Sequence, residues 1–172
     1  HFILKKYEPV MWDIDPAKTH VTDSCDLVLK NADVIFICAP ALAHLEIAMQ
    51  IKQCAPKNAI VVSLAKGLGA KGETVPEMLS THLSVPRIAM LCGPMMAEEI
   101  LKGLLSAALL ASKKSEVCVS VSKLFTKTSL LVTVTNDVSG TAWLSVLKNI
   151  YATVWGAFHA LGQGSNEAGM LI

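Results

Sequence analysis

Asn58–Gly72 reads NAIVVSLAKGLGAKG, an apolar, β-branched run that empties into a loop with the pattern G-x-G-x-x-G at Gly67, Gly69 and Gly72. A buried strand, a glycine turn and a helix in that order have the form of a dinucleotide-binding unit. Two neighbouring features argue against taking this loop for the phosphate-binding turn. No acid ends the next apolar run, RIAMLCG, and Pro76 falls at the opening of the helix that should close the motif. The stretch is read instead as a strand-end loop with two cations, Lys66 and Lys71, at the edge of a parallel sheet where ligands bind. A solvated glycine loop is the plainer alternative.

Working outward, NAIVVSLA is one of a series of short apolar runs. PVMWDI, DVIFICA, RIAMLCG, LSAALLAS and LLVTVT are the others, each of strand length. Helical patterns alternate with them over 23–30, 41–53, 73–82, 97–102 and 115–126. This alternation predicts β-α-β units and an α/β fold, a doubly wound, mainly parallel sheet with helices on both faces. After residue 137 the texture changes. Residues 139–161 read as one long helix, with Trp143, Val146, Leu147, Ile150, Val154 and Ala157 at helical spacing. The expected organisation is an α/β domain over 1–137 and the beginning of an all-helical domain over 138–172.

Composition agrees. Apolar residues make up 52% of the 172 residues and charged residues 17%, which suits strands buried on both faces. A formal charge of +1, without a basic stripe, gives nucleic acid nothing to bind. No apolar run approaches the ~20 residues of a bilayer span, and HFILKKYEP lacks the apolar region and cleavage site of a signal peptide. A cytoplasmic protein is expected. The five cysteines, Cys25, Cys38, Cys54, Cys92 and Cys118, are widely spaced and read as reduced residues, neither a disulfide framework nor a metal site. His44-Leu45-Glu46 has the H-x-E spacing of zinc deaminases, but no P-C-x-x-C follows, and no metal is expected.

Both ends read as cut. The final segment, SNEAGMLI, starts a helix at Ser165 and stops within about two turns, whereas a folded helix averages about three. At the other end, PVMWDID finishes in acids. In a dinucleotide-binding unit such a strand ends in an Asp or Glu that binds the adenosine ribose, so Asp13 is the candidate, with Asp15 as the alternative; both could equally cap the turn at Pro16. The glycine turn that goes with Asp13 should lie about 20 residues earlier, before residue 1.

The chain resembles the NAD(P)-dependent sn-glycerol-3-phosphate dehydrogenase family, and the matching pieces occur in the family's order. They are NADVIFICAP, SLAKGLGAKGE, LCGPMMAEEILKG, TNDVSGTAWLSVLKNIYA and GAFHALGQGSNEAGMLI. The resemblance implies a Rossmann-like domain followed by a helical substrate domain. It implies reversible hydride transfer between NAD or NADP and the C2 position of glycerol 3-phosphate or dihydroxyacetone phosphate. Lys148 matches the catalytic lysine, and Asn149 its polar partner. Hydride delivery to a ketone leaves an alkoxide, so an ammonium group is needed to stabilise charge and give a proton. The apolar neighbours in LSVLKNIYA predict a desolvated lysine. Lys66 matches a residue touching substrate and cofactor, Gly93 a substrate contact, Ala97 a backbone contact to the cofactor, and Pro40 the loop beside the nicotinamide. Asp13 would repel a 2′-phosphate and favours NAD. A homodimer of the full-length form is also implied.

The pattern breaks in places. Met95 stands at a substrate-binding position where the family has Ser or Asn, and a thioether gives no donor. Ala142 replaces a Glu, Leu144 and Ser145 replace paired glycines, and His159 replaces an Asp. These departures keep two alternatives open: a related 3-hydroxyacid or ketopantoate-type reductase, and a non-catalytic relative that binds nucleotide or protein.

Overall fold

The computed structural model describes residues 11–12, 21–22, 28–83, 86–162 and 164–170. Two short strands, β1 (Met11–Trp12) and β2 (Val21–Thr22), pair in parallel. The main sheet has five strands, β3 (Val34–Ile37), β4 (Ile60–Ser63), β5 (Ile88–Cys92), β6 (Ser106–Ala111) and β7 (Leu130–Thr135), adjacent in that order. β3, β4 and β5 are parallel to one another, β6 runs antiparallel to β5, and β7 is parallel to β6. Every apolar run singled out in the sequence contains a strand. β2 was not expected, because VT offers too short a run for periodicity to register.

The helices are α1 (His44–Cys54), α2 (Val75–His82), α3 (Ala97–Leu101), α4 (Ser115–Ser122), α5 (Val138–Ala160) and α6 (Ser165–Gly169). All four residues of β4 are buried, as a strand covered on both faces requires. Its side chains alternate between two cores. Val61 packs with Ile35, Ile37, Ile51, Val75 and Leu79 on the α1–α2 face. Ile60 and Val62 point the other way, to Leu91, Leu110, Val117, Val121 and Phe125 on the α4 face. Each such side chain contributes about 1.5–3 kcal/mol when fully buried, so β4, an interior strand of the sheet, is firmly held and the loop that leaves it has a rigid base.

That loop is KGLGAKG, and three of its amides are occupied. Gly69 N–H donates to the Glu73 carbonyl at 2.8 Å, Gly72 N–H to the Gly69 carbonyl at 3.0 Å, and Lys71 N–H to Glu73 Oε2 at 2.9 Å. A dinucleotide turn leaves its amides to the phosphates; here the chain's own carboxylate takes one of them. Pro76 does not break the helix as the sequence suggested. It lies in the first turn of α2, where a missing N–H costs nothing. Glu77 at that helix start accepts from both the Thr74 amide and its hydroxyl, which holds its carboxyl below the usual pKa.

α5 starts at Asp137, whose side chain accepts from Gly140 N–H at 2.8 Å. Its first turns bury Val138, Thr141, Ala142 and Ser145 against the α/β layer. Farther along, Ile150 and Trp155 are exposed.

Candidate active site

Because β3, β4 and β5 are parallel, their carboxyl ends lie along one edge of the sheet. The segments that leave them carry Pro40, Lys66 and Gly93 in turn. α5 crosses this edge and is tied to it at two points. The buried Cys92 thiol, last residue of β5, donates to the Thr141 carbonyl at 3.8 Å. The buried Ser145 hydroxyl lies 3.4 Å from the Ala65 carbonyl and donates more closely, at 2.8 Å, to Ala142. These ties fix the turns of α5 just before Lys148 against the segments that end β4 and β5.

Cys92 reports the convergence. Burial pushes its thiol pKa up, while the charges of Lys148 and then Lys66 act in the opposite direction. Two lysines from distant parts of the chain therefore lie near enough for their charges to act on one buried sulfur. Both are exposed and open to a ligand. The desolvated Lys148 expected from LSVLKNIYA is not found, because the apolar residues beside it in sequence turn to other faces of the helix.

Gly93 continues from Cys92 with φ 155°. A Cβ there would meet the Ala107 carbonyl oxygen at 2.4 Å, so this backbone lies against β6. Gly67, next to Lys66, packs less tightly: its own Cβ would stand 3.2 Å from the Ala41 side chain. Pro40 is exposed beyond the end of β3, and its carbonyl lies 3.0 Å from His44 Nδ1. Ala97 is exposed at the start of α3, and Asn149 is exposed beside Lys148. Met95 is half-buried and packs with the α4-side core. Asp13 and Asp15 lie outside the described residues. His159 is exposed in the last turn of α5.

The family model described as NAD-dependent glycerol-3-phosphate dehydrogenase N-terminus matches residues 13–118. The chain belongs to this family. A glycerol-3-phosphate dehydrogenase (NAD(P)+) of Teredinibacter turnerae is 34% identical over 152 residues, covering 86% of this chain and 44% of its own length. Among solved structures, DsGPDH of Dunaliella salina superposes with a TM-score of 0.76 at 27% identity, over 87% of this chain and 26% of that one. The glycerol-3-phosphate dehydrogenase of Plasmodium falciparum has the same fold, with a TM-score of 0.80 at 19% identity, over 87% of this chain and 43% of that one. The chain thus spans a little under half the length of such curated relatives.

Two residues that the sequence did not single out for a role here are Cys92 and Ser145. Only the packing of α5 on the segments that end β4 and β5 brings them to this edge. His44 of the H-x-E stretch has a structural place instead of a metal. That imidazole is fully buried, with Nδ1 beside the Pro40 carbonyl and Nε2 2.9 Å from Ser63 Oγ.

Burial lowers the His44 pKa from 6.5, opposed by the Pro40 hydrogen bond. The neutral ring's contribution to stability is complete above the unfolded-state value and is lost as pH falls from there toward the lowered folded value. The thermal midpoint is therefore expected to fall on acidification from about pH 7 to about pH 5. A His44→Gln variant should fall less over the same interval. Equal falls in the two proteins would assign the acid sensitivity to another group.

Proposed function

We propose that the whole protein interconverts sn-glycerol 3-phosphate and dihydroxyacetone phosphate with NAD or NADP, and that Lys148 is its acid and base. The observation that carries this reading is the convergence of Lys66 and Lys148 on Cys92 at the carboxyl ends of parallel strands. Ligands of doubly wound sheets bind at that end, and two exposed ammonium groups suit an anionic, phosphorylated three-carbon substrate. The Pro40 and Lys66 segments leave adjacent parallel strands at the same edge, where a cofactor of such a sheet binds.

A bound nicotinamide supplies or takes the hydride at C2. The chain's own residues do the rest. Lys148 stabilises the alkoxide and gives the proton in reduction, then takes it back in oxidation. Asn149 offers an amide to orient the lysine or a substrate hydroxyl. Lys66 holds substrate and cofactor, with Gly93 lining the substrate side, Met95 beneath it, and Ala97 and Pro40 bordering the cofactor. Asp13 takes the ribose and favours NAD. In this reading 1–137 is the cofactor-binding domain and 138–172 opens a helical substrate domain, in a cytoplasmic homodimer. Among the described residues no helix is long and apolar enough to cross a membrane.

The test is loss of NADH absorbance when the whole natural protein meets dihydroxyacetone phosphate. Oxidation that depends on the phosphate ester supports the assignment. Its absence with both NADH and NADPH overturns it.

A further inference from the structure

A chain of hydrogen bonds with a fixed direction, buried at His44 and Ser63, joins the segments that follow β3 and β4. The Pro40 carbonyl can only accept, so the proton of the neutral His44 ring sits on Nδ1, 3.0 Å away. Nε2 is then an acceptor, and the Ser63 hydroxyl, 2.9 Å away, donates to it. The same Ser63 oxygen accepts the Ala65 amide at 3.1 Å. Every donor and acceptor in the chain is used, and His44 and Ser63 are both fully buried.

Its two ends matter. One is Pro40, three residues beyond the end of β3. The other is Ala65, the residue before Lys66, whose carbonyl also faces the Ser145 hydroxyl of α5. The Lys66 segment is thus gripped through its amide by α1 and approached through its carbonyl by α5. Gly67 adds contact with the turn at Ala41.

We propose that His44 is a positioning residue that acts through Ser63 and the Ala65 amide to fix the Lys66 loop against the Pro40 loop. This rests on the reading of Lys66 as a ligand contact. A histidine that merely filled the core would be replaceable by any group of similar volume. A positioning histidine must instead be neutral, carry its proton on Nδ1, and lose its importance when Lys66 is absent.

The whole protein tests this in two ways. Imidazole 15N chemical shifts at neutral pH should show His44 as the neutral ring protonated at Nδ1; the other tautomer, or an imidazolium, overturns the proposal and leaves the functional reading untouched. Kinetics supply the second test, with Ser63→Ala, His44→Gln and Lys66→Ala. Ser63→Ala should raise the KM for dihydroxyacetone phosphate by about tenfold, and lower kcat by less, because a displaced ligand contact weakens binding first. In the Lys66→Ala background the same change should add less than about twofold. His44→Gln, which keeps an amide donor and acceptor in the chain, should lie between Ser63→Ala and the wild type. Full additivity of Ser63→Ala with Lys66→Ala overturns the positioning role alone. A Lys66→Ala protein with unchanged KM for substrate and cofactor overturns the assignment of Lys66 and this proposal with it, while the tautomer still separates the two failures.

Discussion

Lys148→Ala, made in the whole protein, is expected to lower kcat for reduction of dihydroxyacetone phosphate by about a hundred- to ten-thousandfold, the usual range for losing a placed proton donor. The reason lies in what forms during the step. A ketone is neutral and its reduced form begins as an alkoxide, so the ammonium group is worth far more in the transition state than in the ground state. KM should therefore change much less than kcat. Lys66→Ala should divide its effect the other way, since a cation that holds substrate throughout the reaction contributes uniform binding. Lys148→Arg separates charge from proton transfer: a guanidinium keeps the positive charge but does not give up its proton near neutral pH. If Lys148→Arg retains nearly full activity, the lysine's part is charge alone. If Lys148→Ala is fully active, the acid–base assignment is lost, however well the fold matches.

The strands were legible because burial on both faces leaves continuous apolar runs, and NAIVVSLA, RIAMLCG and LSAALLAS say so without help. The long helix was legible from its spacing, to within one residue at its start. What the sequence did not carry was contact across the sheet edge. Nothing local marks Ser145 as the residue that approaches Ala65, or Ser63 as a partner of His44, because both relations join residues far apart in the chain. The exposure of Lys148 was misjudged for a related reason. Neighbours in sequence are spread around a helix, so an apolar string does not enclose the residue in its middle. The antiparallel turn of β6 was also invisible, since a short crossover segment such as 93–105 fits either direction. That reversal is what brings Ala107 and Ala108 against Gly93.

Gly93→Ala should consequently be among the most damaging single-atom additions in the chain. Cys92 pairs with Leu109 across the antiparallel ladder, so the next residues, Gly93 and Ala108, face each other where β5 ends. An added Cβ would stand 2.4 Å from the Ala107 oxygen and 2.9 Å from Ala108 Cα, and both are backbone atoms of a paired strand that cannot swing aside. The φ of 155° is a second penalty, because side-chain-bearing residues rarely adopt it. Strain and overpacking together should cost about 2–5 kcal/mol, read as a lowered urea midpoint. Gly72→Ala provides the contrast. Its φ is 81°, yet nothing lies within 4 Å of the new atom, so only the conformational term of about 1–2 kcal/mol remains. Function should separate the two variants further. Gly93 follows the sulfur on which both lysines act, so relief of the clash by lifting the 93–96 segment would raise the KM for substrate even where the protein still folds. Equal stability losses at Gly93 and Gly72 would mean that the segment yields freely, and that β6 does not set the floor of the site.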